Sequence, residues 1–255
     1  MNLSLVFCDH SDGGKTQDGS QLTPEVLATI SAAVLKQLNG EFSREWGGTY
    51  SGRIGRDDGS DVEDGEIEVA IFQNEDVSGA AGYHDRDPKG RPYIHVALDD
   101  AQKLTEGTYA LSVIISHECC ETAADPGANR WADRDGSSEE ALETCDRVED
   151  TTYEIDGIAV SNFLHPSAFD PGSDPPWDEM NVLSSEDGQT PGGYVIERQQ
   201  GTETTPQADG SINVRFTRHV HTTRKVVRDP VEESRYVRRK NHPASRTTRR
   251  GAEMD

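Results

Sequence analysis

The feature that most restricts this fold is an apolar stretch, Leu111, Val113, Ile114 and Ile115, that runs straight into His117-Glu118-Cys119-Cys120-Glu121. An apolar run of this kind predicts a helix buried at the centre of a domain. Pro126 ends it, because a residue that precedes proline is pushed out of helical conformation. Residues four apart share a helix face, so His117 and Glu121 can grip one cation together. Glu118 then lies to one side of the ion, the place a general base takes in zinc hydrolases. The familiar form of the signature ends in His; Glu at the fourth step makes the site harder and more negative. Taken alone, His-Glu-x-x-Glu is also what a solvated helix face shows by chance.

One helix face supplies only two ligands, so a third must come from elsewhere. An acidic segment follows at loop distance, Glu143-Thr144-Cys145-Asp146. Asp146 is the first choice for the third ligand and Glu143 the second. Asp125, Asp133 and Asp135 remain alternatives, their ordinary roles being a helix C-terminal turn and loop hydration. His, Glu, Asp and a water complete a four-coordinate site with one open position, which suits zinc at about one ion per chain.

Elsewhere the pattern is mixed. Residues 3–8 predict a buried strand, and Thr23 caps a helix with Pro24 at its first position. Val26, Leu27, Ile30, Val34, Leu38 and Phe42 fall on one face of that helix, which Trp46-Gly47-Gly48 ends. Strands are expected at 67–72 and 92–98, the second entered through Tyr83-His84-Asp85 and a Pro88-Lys89-Gly90 turn. The stretch 125–187 reads as mostly irregular, with short strands near 153–155 and 158–160. The fold class is α+β: a small twisted sheet, an N-terminal helix packed on it, the metal-bearing helix beneath, and a loop-rich C-terminal half. The four cysteines, Cys8, Cys119, Cys120 and Cys145, match no Cys-x-x-Cys pair and read as buried thiols.

Several of these segments together resemble a family of bacterial and phage-encoded metallopeptidase-like proteins. The resemblance rests on Ser116-His117-Glu118-x-x-Glu121, Ala124-Asp125-Pro126, Asn129-Arg130 and Glu143-x-x-Asp146. It extends to Phe42-x-x-x-Trp46-Gly47, Ala81-Gly82-Tyr83-His84, Gly90-x-Pro92-Tyr93, Gly157-x-x-Val160-Ser161-Asn162-Phe163, Phe169-Asp170-Pro171 and Pro191-Gly192-Gly193-Tyr194, in order over about 22–195. The metal-helix succession is also similar to that of secreted Exordium-like proteins. Where the phage group often carries apolar residues, this chain has Cys120-Glu121-Thr122-Ala123, a change in packing around the motif. The resemblance implies a zincin-like fold. In such a fold the strand lining the cleft lies just before the metal helix, which brings in His84 or Tyr83 as a contact to metal or substrate, or as an oxyanion stabiliser. His95 reads as a strand-surface residue.

Charge divides the chain. The formal total is -22, yet residues 1–200 hold 40 Asp+Glu against 13 Lys+Arg, and residues 201–255 hold 7 against 12. Domains are therefore expected at 1–200, the metal-binding body, and 201–255, a basic extended arm. The body argues against nucleic-acid binding, and a surface with six lysines against nineteen arginines stays hydrated in strong salt as well as in ordinary solution. Beyond Gln200 apolar periodicity fades, apart from a candidate strand at Ile212-Asn213-Val214-Arg215-Phe216 that is expected to pair with a neighbouring chain. The arm, basic over 224–250, reads as a docking element for acidic protein partners or a further copy of the chain. No apolar run approaches the ~20 residues that cross a bilayer, and the start lacks a basic signal segment, so a chain made in a cytoplasm is expected. Two functions follow as expectations: a zinc-dependent peptidase, virus-encoded and carried in a virion, or a structural component of a tailed phage or haloarchaeal virus stabilised by its metal.

Overall fold

The computed structural model describes residues 2–74, 80–134, 138–199, 202–206, 212–216 and 226–228. The expected α+β class is present. Strand β1 (Asn2–Asp9) leads through helix α1 (Pro24–Gln37) to β2 (Thr49–Ile54), which lies parallel to it. Thr23 caps α1 and accepts a hydrogen bond from the Val26 backbone N–H, with Pro24 in the first turn. The helix runs on through a π turn (Leu38–Phe42) into a last turn, α2 (Ser43–Trp46), and stops at Gly47 with φ 72°. Strand β3 (Glu66–Phe72) joins the other side of β1, and a β4–β5 hairpin (Gly82–Arg86 and Pro92–Ala97) completes a five-stranded sheet of order β2-β1-β3-β5-β4. Every neighbouring pair in it is parallel except β4 with β5.

One face of this sheet is apolar. Leu5, Phe7, Ile67, Val69, Ile71, Ile94 and Val96 pack against Leu27, Ile30, Val34 and Leu38 of α1 and against Leu111 and Ile115 of helix α3 (Leu111–Ala124). Helix α3 is buried on nearly every side, as its apolar approach predicts. A small hairpin, β8 (Thr152–Ile155) with β9 (Ile158–Ser161), covers its outer flank: Ser112 Oγ donates to the Ala159 carbonyl at 2.6 Å and the Ser161 N–H donates to Ser116 Oγ at 2.7 Å. Asp125 closes the helix ahead of Pro126, its carboxylate accepting the Arg130 backbone N–H at 2.6 Å.

Several strands differ from expectation. Tyr83-His84-Asp85 is not a loop entry but the middle of edge strand β4. Strands β6 (Arg130–Asp133) and β7 (Ser138–Ala141) stand where irregular chain was expected. They belong to an antiparallel sheet of order β12-β11-β10-β7-β6-β13, with β10 (Glu197–Gln199), β11 (Thr202–Pro206), β12 (Ile212–Phe216) and β13 (Val226–Arg228). The strand expected at Ile212–Phe216 is therefore present, pairing with β11 of the same chain and forming an edge of this sheet. Most of the basic stretch 224–250 lies outside the described residues. No helix among the described residues is long and apolar enough to cross a membrane.

Candidate metal centre

Helix α3 presents His117, Glu118 and Glu121 on the side that meets β4 and the Asp146 turn. The 3₁₀ turn Asp146–Val148 brings Asp146 against them, and β4 brings His84 from the first sheet. His117 Nε2 lies 3.4 Å from Glu121 Oε1 and 3.4 Å from Asp146 Oδ1. His84 Nδ1 lies 3.5 Å from Glu118 Oε2 and 3.6 Å from Glu121 Oε2, and its Nε2 is 3.8 Å from Glu143 Oε2. The pair expected to grip an ion, the base beside it, both candidate third ligands and His84 thus converge in one cluster.

The separations are informative. At 3.4–3.8 Å these groups stand beyond ordinary hydrogen bonds. Tetrahedral bonds of about 2.0–2.1 Å to a zinc ion put neighbouring ligand atoms roughly 3.3–3.4 Å apart. His117, Glu118 and Glu121 can hold one ion, and so can His84, Glu121 and Glu143. The donor set fits a divalent cation of borderline hardness.

Burial sharpens the electrostatics. The side chains of His84, Glu118, Glu121 and Asp146 are 4–7% exposed, while His117 and Glu143 reach 12% and 11%. With protons as the only counter-ions, burial and then the neighbouring Glu121 push Asp146 up to about 8. Burial also raises Glu118. For Glu121 burial is outweighed by the His117 and His84 rings, which hold it well below the carboxylate range. Burial opposes charge on both imidazoles, yet carboxylates keep them well above their ordinary value, Glu143 foremost for His84 and Glu121 for His117.

Other expectations sort by geometry. Tyr83 belongs to the opposite side of β4 from His84, because successive strand residues alternate. Its hydroxyl sits 2.7 Å from His95 Nδ1 on the sheet face turned away from α3, so it does not reach the cluster as an oxyanion stabiliser. His84 is inside the cluster, but wedged among three carboxylates instead of lining an open cleft. Asp125 serves the helix end, Asp133 lies on β6, and Asp135 falls outside the described residues. The cysteines are free and buried as expected. Burial raises Cys119, Cys120 and Cys145, so these remain neutral packing groups.

A third grouping, Cys8, His10 and Glu68, lies on the sheet face away from the helices. There His10 Nε2 and Glu68 Oε1 already share a hydrogen bond of 2.9 Å, and burial pushes the Cys8 thiol up to about 12.

Residues the motif did not single out hold the centre in place. A Cβ on Gly82 would stand 2.9 Å from Glu118 Cγ and Ile114 Cγ2, so glycine lets β4 approach α3 closely. The Cys145 N–H donates to Glu121 Oε1 at 3.1 Å and orients that carboxylate. Behind Asp146, the Tyr194 N–H donates to the Asp146 carbonyl at 3.0 Å and the Thr190 N–H to the Arg147 carbonyl at 2.9 Å. A Cβ on Gly193 would come within 2.2 Å of the Arg147 oxygen, so only glycine fits this strap. The motif Pro191-Gly192-Gly193-Tyr194 is thus the backing of the Asp146 turn. Both glycines stood in the segments that carry the family resemblance, which was the available signal.

No family model, curated protein or solved structure matches this chain.

Proposed function

We propose that this chain is a zincin-like protein that binds zinc and that its centre on α3 hydrolyses peptide bonds. The observation that carries the reading is His117 Nε2 standing 3.4 Å from both Glu121 Oε1 and Asp146 Oδ1, with Glu118 buried beside them. A divalent ion held there supplies Lewis acidity. Glu118, one residue after His117 on the helix, takes the proton of the attacking water and passes it to the leaving amine. Burial raises its affinity for protons, which suits a group that must accept one and return it. Asp146, held from behind by the Gly193 strap, fixes the position of His117 opposite Glu121.

Elemental analysis tests the ion: zinc should accompany the purified protein and be lost from the His117→Ala/Glu121→Ala double variant. Stoichiometric metal in that variant would place the site elsewhere. Glu118→Gln tests the chemistry, with cleavage of a peptide library expected to fall by about 10²–10⁴-fold while metal stays bound.

A second reading rests on burial. With four of the six side chains no more than 7% exposed, the same cluster suits an ion that braces the fold of a virion subunit. The resemblance to phage-encoded proteins and the basic segment 201–255 on an acidic body support a place in a viral particle, docked to acidic protein neighbours. Wild-type protein that carries zinc, cleaves nothing in the library and melts lower once stripped would decide for the structural role.

A further inference from the structure

We propose that the cluster binds two divalent cations, the second held by His84 and Glu143 with Glu121 shared between the ions. The inference rests on the metal-binding part of the reading above and extends it from one ion to a pair.

Glu121 faces both ways. Its Oε1 lies 3.4 Å from His117 Nε2, and its Oε2 lies 3.6 Å from His84 Nδ1. One carboxylate with an oxygen turned to each of two imidazoles has the form of a bridging ligand. The two ligand groups, His117-Glu118-Glu121 and His84-Glu121-Glu143, have Glu121 alone in common. Paired ions in hydrolytic sites sit about 3.5–4 Å apart, a spacing that one bridging carboxylate spans.

His84 supplies the independent observation. Its side chain is 4% exposed, and its Nε2 has no hydrogen-bond partner among the described residues while standing 3.8 Å from Glu143 Oε2. Both of its ring nitrogens thus face carboxylate oxygens. In a neutral ring one nitrogen is an acceptor, and an acceptor opposite a carboxylate repels it. A proton on the ring or on the facing carboxyl, or a metal ion, satisfies both sides.

Charge favours the metal. Glu118, Glu121, Glu143 and Asp146 bring four carboxylates around the two imidazoles in a buried pocket. One divalent ion offsets two negative charges in this poorly solvated site, and a second offsets two more. With Glu118 kept as the base, His117, Glu121 and Asp146 on one side and His84, Glu121 and Glu143 on the other give each ion one nitrogen and two carboxylates, a donor set that takes zinc or manganese.

The test uses the full-length chain, stripped with a chelator, reloaded with excess Zn²⁺ and desalted. Wild type should retain about two ions per chain, and His84→Ala and Glu143→Gln about one each. Circular dichroism of the variants checks that they fold. Mn²⁺ loading gives a second readout that needs no variant: wild type should show the spin-coupled spectrum of a close pair, and His84→Ala that of an isolated ion. One ion in both wild type and His84→Ala, with an isolated-ion spectrum in each, overturns the pair and leaves the His117 centre standing. No retained ion in wild type sinks the pair together with the reading beneath it.

Discussion

At the scale of single residues the cluster behaves as a set of competing cations and protons. His84, His117 and Asp146 all hold protons more firmly in the folded chain than unfolded, with Asp146 at about 8. The folded chain therefore binds more protons, and the stability these groups supply is present at low pH and lost as pH rises through their folded values. Glu121 has the opposite sign, but its contribution is lost only in acid, as pH falls through its depressed value. Chelator-stripped protein is thus expected to melt at progressively lower temperature from about pH 6 to about pH 9, and the zinc-loaded protein to lose that decline because the metal replaces the protons. Thermal melts across that range, with and without zinc, check it; a stripped protein that gains stability with pH contradicts it. Gly82→Ala probes the same site sterically. Its methyl would press on Glu118 Cγ and Ile114 Cγ2 at 2.9 Å. A stability loss of about 1–3 kcal/mol is expected, with weakened zinc binding readable by competition with a chromogenic chelator. His117, Glu118 and Glu121 were legible from helical spacing alone, and Asp146 from an acidic segment at loop distance. Tyr83 was misplaced because its side of the site depends on strand alternation, and the segment carrying it did not read as a strand.

At the scale of elements, what the sequence reveals follows from how each element obtains its burial. Strands β1, β3 and β5 and helix α1 show apolar periodicity because each lays one face on the common core. Strand β2 is an edge strand in which only Tyr50 is fully buried, so it carries almost no pattern. Strand β7 is hidden for another reason: Ser138-Glu139-Glu140-Ala141 is entirely buried, yet its glutamates pair with arginines outside the strand, one of them far along the chain. Arg198 donates to Glu139 at 2.6 Å, and Arg134 and Arg147 pair with Glu140. No local pattern announces a charge whose partner lies 59 residues away. The Gly193 strap belongs to this scale, since it couples the Asp146 turn to the segment leading into β10. Gly193→Ala, with its Cβ driven to 2.2 Å from the Arg147 oxygen, is expected to move that turn. Stability should fall by about 1–3 kcal/mol, and zinc affinity should fall with it, whereas a control at the open position Gly157, already at φ 79° on a two-residue hairpin, should cost stability through strain but leave zinc affinity unchanged. Denaturant melts paired with zinc titration separate the two effects.

For the whole molecule, the α+β class and the order of the main elements were legible, because a core of one sheet with two helices needs little beyond periodicity. The second sheet was not, apart from the strand at Ile212–Phe216, since its other strands, β6, β7, β10, β11 and β13, are only three to five residues long. That sheet also bears on the boundary drawn at residue 200, because β10 pairs with β11 across it and β13 lies on β6. The cluster residues, however, all fall between 84 and 146. Removing 201–255 is therefore expected to leave the zinc content of the protein unchanged while exposing the edges of β6 and β10. It also removes the positively charged part of the chain, 7 Asp+Glu against 12 Lys+Arg, from a body holding 40 against 13. Self-repulsion in so acidic a body opposes compactness, and salt relieves it as the screening length shrinks from about 10 Å at 0.1 M to about 3 Å at 1 M. Both the full chain and the truncated one should melt higher in 1 M than in 0.1 M salt, the truncated chain gaining more because it has lost its internal counter-charge. Melts at the two salt concentrations, with zinc measured in the same samples, test both halves of this. A truncated chain that has lost its zinc would show that the segment beyond 200 is part of the metal-binding unit. A truncated chain with no larger salt response than the full one would mean that the basic segment does not offset the charge of the body.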